Sequence, residues 1–472
     1  MKRTRNDNDE ADLAAFLDNS LEEVAEHDAD DPIHDCEGVE LGSLEAKTDE
    51  YFDLADKKIR VFPFSEVKPC WFRLYTDTSI IKAVRVIEAR ENAIEDAKKS
   101  SSWLQDAVGL LDMALITAGG LRREEFISRI FLQLESYVDN AERKKHKRFR
   151  HEPASEVLRR ATLPELVTSV PKIKHSVTEM RVPTLEMFSK WLQTSRKPVK
   201  LLNTLDSWSA LTDWKQTSYW MNHTLGGRRL VPIETGRSYT DSGWGQKIIT
   251  FGDFLYSYIF TTPEARTDTG YLAQHDLFRQ LPSLEAALLI PDYCYMDAPK
   301  SEPDTPLSVS SKQSLSAKTE DGTSESEPGG QLINDEHEIH RNIWFGPAWT
   351  ITPLHHDPYH NILCQVVGTK YVRLYSPHDS GSLQSMSATE TAPHEAMGGS
   401  GTTTIDMSNT SKIDVAAMEL SPDEDWDAVY PGISKVPYWE CILEPGDALY
   451  LPVGWWHYVR SCSVGISVSF WW

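Results

Sequence analysis

Two histidines and one aspartate, drawn from distant parts of the chain, have the residue types of a metal site. His355 and Asp357 lie two residues apart in a strand-like segment, so their side chains share one face while His356 points to the other. An H-x-D pair alone is weak evidence, but His457 lies on a second strand-like segment about a hundred residues later. Two imidazoles and one carboxylate form a facial triad, which suits non-haem Fe(II) and leaves about three coordination positions open. A 2-oxo acid can chelate such an ion through two oxygens, and O₂ can take the third position.

A 2-oxo diacid also needs a cation for its far carboxylate, and Lys370 is the candidate. Gly368 and Thr369 have the types of a two-residue hairpin turn. Such a hairpin would put Asn361 and Lys370 on one face, about 20 Å apart along the strands at roughly 3.3 Å per residue. The alternative is an ordinary hairpin-tip lysine in solvent, where most lysines lie.

The elements that must position these side chains follow from composition and periodicity. The chain has 472 residues, of which 40% are hydrophobic, which predicts two or three domains. Residues 1–60 hold 19 acidic against 7 basic residues, and we expect an acidic, disordered tail. Residues 61–180 carry apolar residues at three- and four-residue spacing, with a helix stop at Gly119 and Gly120, which predicts an α-helical domain.

From residue 181 to 472 the pattern changes to short strands separated by polar turns. PVKLL, RLVPIETG and KIITFGDFLYSYIF begin the series, and NILCQVVGTKYVRLY, WWHYVR and VGISVSFWW are its strongest members. Low-complexity insertions near residues 299–335 and 379–410 interrupt it. The fold class predicted is α+β, with a C-terminal sandwich or barrel after the helical domain.

The net charge of −23 makes direct nucleic-acid binding unexpected, because phosphate binding needs a basic field, and it favours a basic protein partner. No run of eighteen apolar residues is present, so no membrane span is expected. The one dense basic run, residues 143–150, is typical of a nuclear-import signal, or of a solvated helix end. Scattered cysteines without a C-x-x-C pair indicate reduced, intracellular thiols.

Two spaced motifs carry a resemblance to a known superfamily. G-x5-P-x-G-x2-H, ending at His457, resembles the second cupin motif, and H-x-D-x3-N-x6-G, beginning at His355, has the spacing of the first. In the first motif Asp replaces the second His and Asn replaces the Glu. NIWFGPAWTITPLHHDPYHNILCQVVGTKYVRLYSP and LYLPVGWWHYVRSCSVGISVSFWW, together with GYLAQH and VPIETGRSYTD, resemble the JmjC domain of Fe(II)/2-oxoglutarate oxygenases.

This resemblance implies a double-stranded β-helix, the cupin/JmjC jelly roll, over residues 181–472. It implies Fe(II) ligands at His355, Asp357 and His457. The 2-oxoglutarate contacts implied are Tyr271, Thr352, Asn361 and Lys370, with Trp471 near the site.

The resemblance also implies that Glu234, Tyr239 and Trp344 line a substrate pocket that receives an arginine side chain. An acid beside aromatic rings fits a guanidinium, through a bidentate pair and stacking. The alternatives are barrel core for Trp344 and Trp471 and a solvated turn residue for Glu234.

The expected activity is hydroxylation of a side chain, arginine preferred, in a basic protein (a histone, ribosomal or chromatin-associated protein), with oxidation of 2-oxoglutarate to succinate. A nuclear location is expected, with the cytoplasm left open. The alternatives are a histone lysine demethylase of the same chemistry and a catalytically silent cupin scaffold. A zinc hydrolase fits less well, because no general base is evident near the open site.

Overall fold

The computed structural model describes residues 16–17, 19–89, 102–145, 161–240, 243–262, 268–309, 339–387 and 407–472. Its α-helices are α1 (Thr48–Val61), α2 (Pro69–Glu88), α3 (Ser102–Ala118), α4 (Glu124–Lys145), α5 (Leu185–Thr194), α6 (Ala210–Asp213), α7 (Thr217–His223), α8 (Phe251–Phe254), α9 (Leu277–Gln280), α10 (Val415–Leu420) and α11 (Trp426–Val429). Its strands are β1 (Thr178–Arg181), β2 (Val199–Leu202), β3 (Leu230–Thr235), β4 (Gly245–Thr250), β5 (Gly270–His275), β6 (His340–Gly346), β7 (Ile351–His355), β8 (Asn361–Val367), β9 (Lys370–Tyr375), β10 (Tyr438–Leu443), β11 (Ala448–Leu451), β12 (Trp456–Ser461) and β13 (Gly465–Trp471). No described helix is both long enough and apolar enough to cross a bilayer.

Helices α1 to α4 pack around one apolar core, as the helical periodicity predicts. On α1 the buried residues Tyr51, Ala55 and Ile59 recur every four positions, which places them on a single face. Gly119 and Gly120 follow α3 directly and both have φ of +63°, a left-handed conformation that glycine adopts without strain. The predicted helix stop is therefore confirmed.

The prediction of a disordered tail over residues 1–60 is wrong for the described part of that segment. Residues 19–25 are helical, and Leu17, Val24 and Ile33 are at most 1% exposed in the same core as α1 to α4. The buried Asp31 carboxylate accepts a 3.0 Å hydrogen bond from Arg73 Nε on α2. Acidic composition gave the wrong prediction because a few well-spaced apolar residues lie among the acidic ones. These apolar residues suffice to anchor the segment in the core of the helical domain. Residues 1–15 lie outside the described part of the chain.

The predicted domain boundary at residue 180 is placed too late. Leu163 is buried in the core of the β-domain, and the Thr168 backbone N–H donates to Cys462 O at 2.6 Å. Strand β1 then pairs with β2 in parallel. We therefore propose a helical domain over residues 16–145 and a β-domain over 161–472. Residues 146–160, with most of the basic run, lie outside the described residues.

The β-domain consists of two sheets. The major sheet has the strand order β1-β2-β11-β8-β13-β6-β5-β3-β4, and the minor sheet has the order β10-β9-β12-β7. Apart from the parallel β1–β2 pair, the named strands pair antiparallel. Residues of both sheets, among them Leu363 of β8 and Val372 of β9, meet in one apolar cluster between them. This arrangement confirms the predicted α+β class and the jelly roll.

The predicted hairpin between β8 and β9 is wrong, because β8 lies in the major sheet and β9 in the minor one. Gly368 and Thr369 form a corner at which the chain passes from one sheet to the other. Gly368 has φ of +74°, and a Cβ there would collide with the Val464 carbonyl oxygen. Glycine is thus needed at this corner for its conformation and for the close approach of two backbones.

Two further expectations need correction. In KIITFGDFLYSYIF only the start is strand: Thr250 accepts a 3.0 Å bond from the Asp253 N–H as the N-cap of α8, and Leu255–Ile259 continue as a π-helix. The insertions are shorter than predicted, since residues 299–309, 379–387 and 407–410 are ordered against the β-domain. Residues 310–338 and 388–406 lie outside the described chain.

Candidate metal and co-substrate site

Two of the three candidate ligands lie on neighbouring strands of the minor sheet, and the third closely follows one of these strands. His355 of β7 pairs with His457 of β12 in the antiparallel register, and their ring centroids are 4.1 Å apart. Asp357 lies just beyond β7, with carboxylate oxygens 3.7 Å from His355 Nε2 and 3.6 Å from His457 Nε2. Within the described residues this is the group whose ligand atoms all lie within 4.8 Å of one another, close enough for one ion.

Backbone carbonyls fix the orientation of both imidazoles. His355 Nδ1 lies 2.8 Å from Pro353 O and His457 Nδ1 lies 3.0 Å from Trp455 O. Because a carbonyl only accepts, each Nδ1 carries the proton and each Nε2 lone pair faces Asp357. Burial lowers the pKa of His457 to about 4, so this imidazole is neutral at neutral pH, as a ligand must be.

The glycine of the second motif holds the aspartate loop in place. The Gly454 backbone N–H donates to Asp357 O at 3.0 Å, and Gly454 itself has φ of +81°. The G-x2-H spacing therefore links the segment that carries His457 to the residue that supplies the carboxylate.

Strand β7 contains a register shift that alternation of side chains does not predict. Thr352 and His355 both line the cavity between the sheets, although they are three residues apart, whereas Leu354 packs on the outer side of the minor sheet. Pairing with β12 shifts between His457 and Val459, as expected for a β-bulge. The bulge allows both Thr352 and His355 to face the site.

One cavity brings together the triad and every predicted 2-oxoglutarate contact. Its lining includes the candidate metal ligands His355, Asp357 and His457, the predicted co-substrate residues Tyr271, Thr352, Asn361, Lys370 and Trp471, and the predicted substrate residue Trp344. Glu234 and Tyr239 are outside this lining and lie next to it.

Lys370 is in the interior, not at a solvent-exposed turn. Its side chain is 1% exposed, and Nζ donates to the Tyr271 hydroxyl at 3.3 Å. Burial lowers the pKa of its ammonium to about 7, because a charge removed from water is costly. An anionic ligand in the cavity would therefore stabilise the charged form of this amine.

Two polar groups in the same cavity lack a partner among the described residues. Asn361 Oδ1 and Trp471 Nε1 are both buried without a hydrogen bond. A buried unpaired donor or acceptor costs about 1–3 kcal/mol, so such groups usually bind water or a ligand. Together with the ammonium of Lys370 and the two histidines and one carboxylate, they fit a metal ion with a chelating diacid.

Glu234 lies beside Tyr271, its register partner across β3 and β5. The Trp244 indole N–H donates to Glu234 Oε2 at 3.4 Å, and burial raises the pKa of Glu234 to about 7. Glu234 is thus a half-buried carboxylate and not a solvated turn residue. Trp344 donates its indole N–H to Ser469 Oγ at 2.8 Å, so its polar atom is already bonded.

Tyr239 lies at the triad end of the site, where its hydroxyl is 3.4 Å from Thr410 Oγ1. Thr410 in turn forms a β-bridge with His355, and the neighbouring Asn409 donates its side-chain N–H to His356 O at 3.2 Å. The end of the second insertion is therefore held against β7, the strand that carries His355.

Sequence reasoning missed Thr410, Asn409, Ser469 and Trp244. Ser469 lies two residues before Trp471 on β13, so side-chain alternation gives its position. Trp244 follows the VPIETGRSYTD block closely. Thr410 and Asn409 carry no signal, because they belong to a segment of low-complexity composition.

Comparison with known proteins agrees with this geometry. The family model described as Cupin-like domain matches residues 184–472. The chain is similar to Lysine-specific demethylase 8 of Danio rerio, with 32% identity over 420 residues that cover 89% of this chain and 85% of that protein. It is also similar to Lysine-specific demethylase JMJ30 of Arabidopsis thaliana, with 30% identity over 89% of this chain and 84% of that protein. Jumonji C domain-containing protein 5 of Drosophila melanogaster is 35% identical over 63% of this chain and 59% of that protein. The chain therefore belongs to the cupin-like JmjC family and is a 2-oxoglutarate-dependent dioxygenase.

Proposed function

We propose that the protein hydroxylates a side chain, arginine preferred, in a basic protein, with Fe(II) as metal and 2-oxoglutarate and O₂ as co-substrates. The observation that supports this best is one cavity with two histidines and a carboxylate at one part of its lining and a buried lysine at another.

His355, Asp357 and His457 would hold the iron. Bound there, Fe(II) would supply the activation of O₂ that is coupled to the oxidative decarboxylation of 2-oxoglutarate to succinate. The chain itself keeps both Nε2 lone pairs available by fixing the Nδ1 protons on Pro353 O and Trp455 O.

The rest of the cavity would orient 2-oxoglutarate. Lys370 would neutralise the far carboxylate, and the hydroxyls of Tyr271 and Thr352 would donate to it. Asn361 and Trp471 would use the polar atoms that are now unpaired. Since this wall is buried, water is excluded from the charges and each of these contacts is strengthened.

The residues proposed to bind the substrate side chain suit a positively charged group. Glu234 and Tyr239 are half-buried beside the cavity, and burial together with the Asp357 and Glu234 charges raises the pKa of Tyr239. A guanidinium at Glu234 would pair with its carboxylate and stabilise the ionised form, while the indole of Trp244 already fixes one carboxylate oxygen. The net charge of −23 agrees with a basic protein partner.

Lysine demethylation is the second candidate, because relatives at 30–32% identity are named lysine-specific demethylases. One carboxylate beside aromatic rings also fits a methylated ammonium. A peptide screen read by mass spectrometry separates the two, since hydroxylation adds one oxygen atom and demethylation removes one methyl group.

The decisive experiment measures iron-dependent conversion of 2-oxoglutarate to succinate and peptide modification together, with Asp357→Ala and His355→Ala as controls. Turnover lost in both variants supports the enzyme. Equal signals in wild type and variants would leave the silent scaffold as the function.

A nuclear location and a histone, ribosomal or chromatin-associated substrate are proposed from the basic run at residues 143–150 and from family membership. Replacing the basic residues of this run by glutamine and following a fluorescent fusion tests the location.

A further inference from the structure

A buried ion pair joins the helical domain to the strands that carry the proposed substrate and co-substrate residues. Asp112 of α3 is 0% exposed, and Arg229, directly before β3, is 3% exposed. Arg229 Nε lies 2.9 and 3.1 Å from the two Asp112 carboxylate oxygens, and the Arg229 guanidinium also stacks over the Phe131 ring at 3.5 Å. Arg229 Nη2 also lies 2.8 Å from Asp112 Oδ1, so two guanidinium nitrogens contact the carboxylate, and such a pair fixes position and angle together.

The same carboxylate also holds the first residue of β3. The Leu230 backbone N–H donates to Asp112 Oδ2 at 2.7 Å. Glu234 is four residues further along this strand, so Leu230 and Glu234 project to the same side of β3. The helical domain thus fixes one end of the strand whose other end carries the proposed substrate carboxylate.

Gln280, at the end of α9, extends the contact to β5. Its side-chain amide donates to Asp112 Oδ1 at 2.8 Å and to Leu230 O at 2.7 Å, and its Oε1 lies 2.7 Å from His275 Nε2. His275 is the last residue of β5, which begins at Gly270 and carries Tyr271.

Strands β3 and β5 are joined by backbone hydrogen bonds at one end only. The Asp112–Gln280 network lies at the other end. The ladder between β3 and β5 pairs Glu234 with Tyr271 and Thr235 with Gly270. Four residues further on, the side chain of Gln280 bridges Leu230 and His275 instead. The relative position of the two strands is therefore set at one end by backbone bonds and at the other by Asp112 and Gln280.

We infer that Asp112 is a positioning residue for the site, through which the helical domain sets the placement of Glu234 and Tyr271. Asp112 is not among the residues that line the cavity. The inference rests on the proposed function only for the roles of Glu234 and Tyr271, since the mechanical link is independent of them.

Hydrogen–deuterium exchange of the full-length Asp112→Asn protein tests the link. The variant keeps the size of the side chain and removes the charge that Arg229 faces. We expect the amides of β3 and β5 to exchange about tenfold faster, with exchange unchanged in β8 and β12. The KM for 2-oxoglutarate in the iron-loaded protein should rise about threefold, because Tyr271 lies on β5.

Glu124→Gln is the matched control. Glu124 pairs with Arg279 across the same face between the domains, and neither residue bonds to β3 or β5. This variant should leave exchange in both strands at the wild-type rate. Should Asp112→Asn fail to fold, Gln280→Met removes the bridge between the strands while Asp112 and Arg229 remain paired, and the same local pattern is expected.

Wild-type exchange in β3 and β5, or an equal acceleration in β8 and β12, would overturn the inference, since the second outcome is global destabilisation. Failure of the proposed function is distinguishable: wild-type protein that leaves 2-oxoglutarate unchanged refutes that function, while the exchange pattern still decides the role of Asp112.

Discussion

If the buried Lys370 binds the far carboxylate of 2-oxoglutarate, as we propose, the affinity for this co-substrate should depend on pH. Burial lowers the pKa of this ammonium to about 7. A bound carboxylate favours the charged form and raises that pKa, so binding takes up a proton wherever the free lysine is neutral. The affinity for 2-oxoglutarate should therefore be highest below pH 7 and fall as the pH rises.

The size of the effect follows from the fraction of lysine that is protonated. If only the ammonium binds the diacid, the apparent Kd scales as one plus the ratio of neutral to charged lysine, about 1.1 at pH 6 and about 11 at pH 8. We expect about tenfold weaker binding at pH 8 and uptake of about 0.9 protons per 2-oxoglutarate. Because the pKa of His457 is lowered to about 4, this ligand stays neutral throughout the range.

Anaerobic calorimetry of the iron-loaded protein, in two buffers with different heats of ionisation, measures both quantities. Burial also raises the pKa of Glu234 to about 7, and its ionisation disfavours an anion in the same direction. The titration is therefore repeated in Glu234→Gln. Lys370→Arg is the second control, since a guanidinium stays charged and should flatten the profile. A flat profile in the wild type, or an unchanged slope in Lys370→Arg, would refute the reasoning.

Three further perturbations test other parts of the structure. Glu234→Gln should raise the KM for an arginine-containing peptide about tenfold, because one charge-assisted pair is lost, and steady-state kinetics with a citrulline-containing peptide gives the comparison. Gly368→Ala should lower the free energy of unfolding by about 2 kcal/mol, because its Cβ meets Val464 O, and urea denaturation will detect this; an unchanged midpoint would contradict the close approach. Arg73→Met should lower that free energy by about 3 kcal/mol, because the buried Asp31 loses its guanidinium partner, whereas Asp77 keeps Arg123 and His27, and loss of protection in residues 19–35 would accompany the lower melting temperature.

The triad could be predicted from sequence because its information is local. His355 ends β7 and Asp357 follows it by two residues, and His457 is placed by a motif whose glycine contacts the Asp357 backbone. Strand positions and the helix stop at Gly119 were predictable on similar grounds. In each of these, a short spacing rule determines where the side chain points.

Contacts between distant segments have no such rule. Asp112 and Arg229 are 117 residues apart, and nothing in the pattern around either residue indicates the other. Thr410 pairs with His355 of β7 from a segment whose composition predicts disorder. The prediction of disorder for the acidic N-terminal segment was wrong for a similar reason. Composition averages over the whole segment and hides the few apolar side chains that anchor it.

The corner at Gly368 shows how a wrong pairing can still give the right face. The alternation of side chains along β8 is independent of that along β9. Asn361 and Lys370 therefore face the interior whether or not the two strands pair with each other. The corner moves β9 into the opposite sheet, and the two side chains approach the cavity from different walls instead of lying side by side. Facing sheets are about 10 Å apart, so Lys370 need not reach back along a hairpin of about 20 Å. The distance that a diacid must span is consequently set by sheet packing, and the glycine that allows the corner contributes to the site without touching any ligand.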